Sequence, residues 1–85
     1  MSSSNFDLYE SLGKACQGTG EFKDAIAWYQ KALALKGNII ETLNSLGECY
    51  LKTGDKEQAL RAWKKSLELN PKQENIKEMI EKLKE

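Results

Sequence analysis

Displaced by 34 positions, the chain falls into register with itself. Ser11-Leu12-Gly13 lies on Ser45-Leu46-Gly47, Thr19-Gly20 on Thr53-Gly54, and Ala25 on Ala59. Lys31, Leu33 and Leu35 meet Lys65, Leu67 and Leu69. These nine identities need no gap and hold through both Thr-Gly pairs. Two amphipathic helices alike by chance share apolar spacing, but they do not keep register across a turn. The period therefore belongs to the chain and limits the fold to a stack of like units. At 85 residues the stack is one domain, near the small end of what buries a useful core.

Each unit reads as two helices about a tight turn. Phe6, Leu8, Tyr9, Leu12, Ala15 and Cys16 supply apolar positions at helical spacing for a helix over 6–18. Thr19-Gly20-Glu21 breaks it, glycine closing a helix most cheaply in the left-handed conformation. A second helix over 22–36 carries Phe22, Ala25, Ile26, Tyr29, Ala32 and Leu33 on one face, and Gly37 ends it. Asn38 with Glu41 three residues on predicts a capping box for the next helix. The scheme repeats through Leu43, Leu46, Gly47 and Tyr50, the turn Thr53-Gly54-Asp55, and Ala59, Leu60, Trp63 and Leu67. Asn70-Pro71-Lys72-Gln73 predicts a second capping box opening a fifth helix. There Ile76, Met79, Ile80 and Leu83 form one stripe among Lys and Glu, as a lid would. The expected organisation is a flexible leader over 1–5, repeats over 6–39 and 40–73, and a capping helix over 74–85. Gly13 and Gly47 stand mid-helix, where glycine costs about 1 kcal/mol against alanine. Close approach of a neighbouring helix explains them, with Ala25 and Ala59 as the matching small residues. The corresponding place in the fifth helix holds Glu81, bulky and charged, as suits a chain that ends at its lid.

Chemistry is sparse. Thirteen Lys and Arg balance thirteen Asp and Glu, which argues against a nucleic-acid or membrane-surface binder. Apolar runs are too short to span a membrane, and the start lacks the basic and apolar regions of a signal peptide. Cytoplasmic placement is the expectation that follows. Cys16 and Cys49 sit inside helical patterns and read as reduced, half-buried thiols. Two cysteines without a histidine make a poor zinc set. No nucleophile has a base beside it, and Gly18-Thr19-Gly20 joins helix to helix rather than strand to helix. Neither an enzyme nor a cofactor or metal site is expected.

The pattern closely resembles the tetratricopeptide repeat family from about Phe6 to the C-terminus. The family's first helix has a large residue, Leu-Gly and another large residue. Here these are Tyr9, Leu12-Gly13 and Cys16, then Leu43, Leu46-Gly47 and Tyr50. Its second helix has Ala, an aromatic and Ala before a boundary proline. The matches are Ala25, Tyr29, Ala32 and Gly37, then Ala59, Trp63, Ser66 and Pro71. Cys16 in place of an aromatic and Gly37 in place of proline depart from the pattern. The resemblance implies an all-α fold: antiparallel helix-turn-helix repeats stacked as a short right-handed superhelix of five helices, with a concave groove lined by the first helices.

The resemblance also implies a binding surface. Carried over by position, the groove comprises Asp7, Glu10, Lys14 and Gln17, then Glu41, Asn44, Glu48, Leu51 and Lys52, with Asn75, Glu78 and Lys82 from the lid. Five are acidic and three basic, a balance that an ordinary solvated face would also show. Members that clamp the C-terminal carboxylate of heat-shock chaperones use Lys and Asn, then Asn, then Lys and Arg. This chain has Glu10, Lys14, Ser45, Asn75 and Met79 there, so a chaperone clamp is not expected. Tyr29 and Trp63 read as core. Trp28 is an outside candidate, as a tryptophan partly exposed on the convex surface. The function implied is a non-catalytic module binding a protein or peptide of unknown identity. The alternative is a structural or self-associating repeat scaffold, including a homodimer, an engineered minimal array or a piece of a longer one.

Overall fold

A computed structural model of the chain describes residues 5–84. Among them are five helices and no strand: α1 (Asn5–Gly18), α2 (Phe22–Lys36), α3 (Ile40–Lys52), α4 (Lys56–Leu69) and α5 (Glu74–Lys84). Of the leader expected over 1–5, positions 1–4 lie outside the described residues, and Asn5 is the first residue of α1. The helices form a thin slab of 46 × 26 × 17 Å. α1 pairs with α2 and α3 with α4; α2 packs on α3 to join the pairs, and α5 closes against α4.

The two Thr-Gly turns are the same device built twice. Gly20 N–H donates to the Gln17 carbonyl at 3.2 Å, and Glu21 N–H to the Cys16 carbonyl at 2.8 Å. Gly54 and Asp55 repeat this on Leu51 and Tyr50 at 3.0 and 2.9 Å. Such a pair of bonds closes a helix only if the glycine is left-handed, and φ is 84° at Gly20 and 88° at Gly54. The hydroxyls of Thr19 and Thr53 donate back to the Cys16 and Tyr50 carbonyls at 3.1 and 2.9 Å.

Neither predicted capping box forms. α3 starts at Ile40 with Ile39 as an extended N-cap that offers no side-chain acceptor; neither Asn38 nor Glu41 serves. The Asn70 carboxamide accepts from Lys72 N–H at 3.1 Å, bending the chain before α5, which starts only at Glu74. Gln73 does not reach back to a free N–H. Its amide instead donates to the Ser66 carbonyl, the Ser66 hydroxyl and the Asn70 carbonyl at 3.0, 2.9 and 3.0 Å. It also accepts from Asn44 Nδ2 at 2.9 Å. One side chain thus ties the end of α4, the middle of α3 and the start of α5 together.

The apolar faces meet in two clusters. Ala25, Tyr29, Leu46 and Cys49 form the first; Ala59, Trp63, Ile76 and Ile80 form the second. Tyr29 and Trp63 are fully buried, as their positions predict. Burying Ile76 and Ile80 contributes about 1.5–3 kcal/mol each, which is what holds the lid. The mid-helix glycines lie directly against these rings. A Cβ on Gly13 would stand 2.6 Å from Tyr29 Cε1, and one on Gly47 2.6 Å from Trp63 Cδ1.

Candidate partner-binding faces

A first face is set by what α1 and α3 turn toward each other. The Thr42 hydroxyl, 1% exposed, donates to Glu10 Oε2 at 2.6 Å. Lys14 Nζ lies 3.8 Å from Glu41 Oε1, and Gln17 Nε2 donates to Glu48 Oε1 at 3.0 Å. The ion pair is well exposed on both sides and contributes about 0–1 kcal/mol. The Thr42 bond is partly buried and fixes register. Gln17 is anchored from beneath, its Oε1 accepting from the Tyr29 hydroxyl at 2.7 Å.

The structure therefore brings together Glu10, Lys14, Gln17, Glu41 and Glu48. Asp7 is exposed in the first turn of α1 and Lys52 is exposed at the end of α3. Asn44 is half-buried against Gln73, and its Oδ1 is buried without a hydrogen-bond partner. Leu51 is half-buried and packs on the second cluster. Asn75, Glu78 and Lys82 are exposed on α5; among the described residues no hydrogen bond or ion pair joins them to α1 or α3. Thr42 is the residue that position-by-position reading missed. Its 34-residue equivalents are Leu8 and Ile76, so a hydroxyl at an apolar position was the available signal.

Trp28 does not stand free. It is half-buried and stacks on Tyr9, with centroids 5.7 Å apart and planes 24° from parallel. Lys31 Nζ sits 5.1 Å from the Trp28 ring and 5.8 Å from Tyr9. A shallow hollow of about 290 Å³ beside it is lined by Asp24, Ala27 and Lys31. Leu8, on the same helix as Tyr9, is 50% exposed.

A second face lies on the other side of α3. At about 100° per residue, Leu43, Leu46 and Tyr50 point nearly opposite to Glu41, Asn44 and Glu48. They floor a cleft of about 580 Å³ between α2 and α4, with Leu33 and Ala34 on one wall and Ala62 on the other. Ligand pockets run from about 300 to 1,000 Å³. The Gln30 amide donates to the Tyr50 hydroxyl at 2.6 Å across one end.

The thiols and the buried phenol are held protonated. Burial pushes the Tyr29 phenol up to about 12 and the Cys49 thiol up to about 11. The Cys16 thiol is also raised, by desolvation first and then by Glu21 and Asp24. Protonated thiols are weak nucleophiles. Among the described residues no three His, Cys, Asp or Glu side chains gather as a metal would need, and no helix is long and apolar enough to cross a membrane.

Compared with known proteins, residues 6–72 match the family model of the tetratricopeptide repeat. Similar relatives share the name photosystem I assembly protein Ycf3. That of Prochlorococcus marinus strain NATL1A is 39% identical over 69 residues, covering 78% of this chain and 40% of the relative. Those of strain NATL2A and of Synechococcus sp. strain CC9311 are 38% and 35% identical, with the same coverage of 78% and 40%. The chain thus spans about two-fifths of the length of these relatives.

Proposed function

The chain belongs to the tetratricopeptide repeat family, and from that premise we propose a non-catalytic module that holds a peptide segment or partner protein against the face of α1, α3 and α5. Interaction with other proteins is the function the family supports; the choice of face and ligand is our reading. The observation that carries it is the cross-linking of α1 to α3 through Glu10–Thr42, Lys14–Glu41 and Gln17–Glu48. A recognition surface needs its side chains held before the ligand arrives, because ordering them afterwards subtracts from affinity. In this reading residues 6–39 and 40–73 are the binding repeats and 74–85 closes them. The relatives' name adds a task, photosystem I assembly. We carry over only the holding of a partner during assembly, with photosystem I proteins as first baits.

The test is selection of peptides from a displayed random library by the wild-type chain, with Glu48→Lys in parallel. Glu48 is exposed, so the variant reverses a surface charge without entering the core. Enrichment of a motif that Glu48→Lys no longer retains is the expected result. A motif retained equally by the variant overturns the choice of face. An empty selection overturns peptide reading and leaves self-association or a spacer role.

A further inference from the structure

We propose that the cleft between α2 and α4 is a second docking site, and that its occupant is an acidic amphipathic helix of a partner protein. It is separate from the face assigned above and uses none of its side chains.

Its chemistry has two parts. The floor is apolar: Leu43 and Leu46 are buried at its base, while Leu33 and Tyr50 are half-exposed into it. Its two walls differ in charge. On α2 the lining side chains are Gln30, Leu33 and Ala34, all neutral. On α4 they include Arg61, Lys64 and Lys65, with Glu68 the one acidic lining residue. Lys64 and Lys65 make no ion pair among the described residues. Arg61 touches only Glu57 on its own helix, at 3.9 Å with both side chains exposed. Such a pair is worth little and exchanges readily for a better one. The chain as a whole is neutral, so this cationic wall is a local feature.

The walls also select the form of the ligand. Helices present no sheet edge, so an extended peptide would bring a row of backbone N–H and C=O groups into the cleft with only the scattered amides of Gln30, Asn38 and Gln58 to bond them. A helix satisfies its own. From Gln58 to Glu68 the α4 wall runs about 15 Å, or about three turns. That length accepts a helix with apolar anchors at i, i+3 or i+4, and i+7. Carboxylates on the flank beside α4 would then meet Arg61, Lys64 and Lys65, and the flank beside α2 needs no charge.

The experiment sorts a displayed library of helical peptides with those anchors fixed as leucine and the flanks randomised, using the full chain as bait. Three variants are run alongside: Lys64→Glu with Lys65→Glu, Ala34→Glu, and Glu48→Lys. All four positions are exposed, and circular dichroism verifies each fold. The expected result is enrichment of Asp and Glu on one flank. Binding of the enriched clones should fall about tenfold or more in the first two variants, weaken with added salt, and be unchanged in Glu48→Lys. Enrichment without acidic bias, or clones that bind the double variant undiminished, overturns the proposal. So does sedimentation in which the chain pairs with itself and Ala34→Glu abolishes the pairing, since the occupant is then a second copy. Loss of binding only in Glu48→Lys would assign the clones to the first face and overturn this one.

Discussion

At Gly47 a single methyl group has nowhere to go. A Cβ there would press on Cδ1 and Cε2 of Trp63, both at 2.6 Å, and the indole cannot retreat. It is fully buried, and its Nε1–H donates to the Asn44 carbonyl at 3.3 Å. Alanine gains about 1 kcal/mol of helix propensity over glycine, but overpacking a rigid core costs about 1–3 kcal/mol. The overlap wins. Gly47→Ala is expected to lower the melting temperature, by about 4–8 °C per kcal/mol lost in a domain of this size. Trp63→Phe should destabilise the wild type yet recover part of the loss in the Gly47→Ala background, a coupling read from a double-mutant cycle. If the two effects simply add, the ring is not what the glycine accommodates. The period made both glycines legible as close-approach points, with Ala25 and Ala59 as the matching small residues, but it did not name the rings. Spacing along a helix reports which face a residue occupies. It does not report that the Tyr29 and Trp63 rings fill the space where a Cβ on Gly13 or Gly47 would stand.

Helix ends were legible where one residue suffices and illegible where several compete. Gly20 and Gly54 close α1 and α3 because no other residue takes that conformation as readily, so a Thr-Gly pair announces the turn unaided. An asparagine before a helix announces only that an acceptor is nearby. Asn70 uses its acceptor on Lys72 N–H, two residues ahead of Glu74, and Asn38 yields to an extended Ile39. The partners of Gln73 are harder still to foresee, since Ser66 and Asn44 lie 7 and 29 positions away. Gln73→Ala would leave Asn44 Nδ2 without its acceptor beside an Oδ1 that already lacks a donor. The expected cost is about 1–3 kcal/mol. It should be concentrated in the lid: amide exchange across Glu74–Lys84 accelerates while α1 and α2 keep their protection. Unchanged protection in α5 would mean that Ile76 and Ile80 dock it alone.

Over the whole molecule, the stacking was legible from the period, and the nearness of Glu10, Lys14 and Gln17 to Glu41 and Glu48 from the family resemblance. The cleft was not. Its floor belongs to α3 and its walls to α2 and α4, so its residues are adjacent only once the gap between those walls is known. Lys64 and Lys65 read in isolation as an ordinary solvated pair. Tyr50 had been legible as a repeat position and no more, yet among the described residues it is the side chain packed against both apolar clusters, with Gln30 bonded to its hydroxyl. In a linear array, stability divides into what each unit holds alone and what neighbours share. Part of the shared term here passes through one aromatic ring. Tyr50→Ala should therefore broaden melting and drop the van't Hoff enthalpy below the calorimetric one, where the parent chain keeps them equal. Equal enthalpies in the variant would show that the α2–α3 contact carries the coupling without it. Cooperativity in this chain is then a local quantity with an address, and because Tyr50 also lines the cleft, whatever lodges there would adjust how tightly the two halves unfold as one.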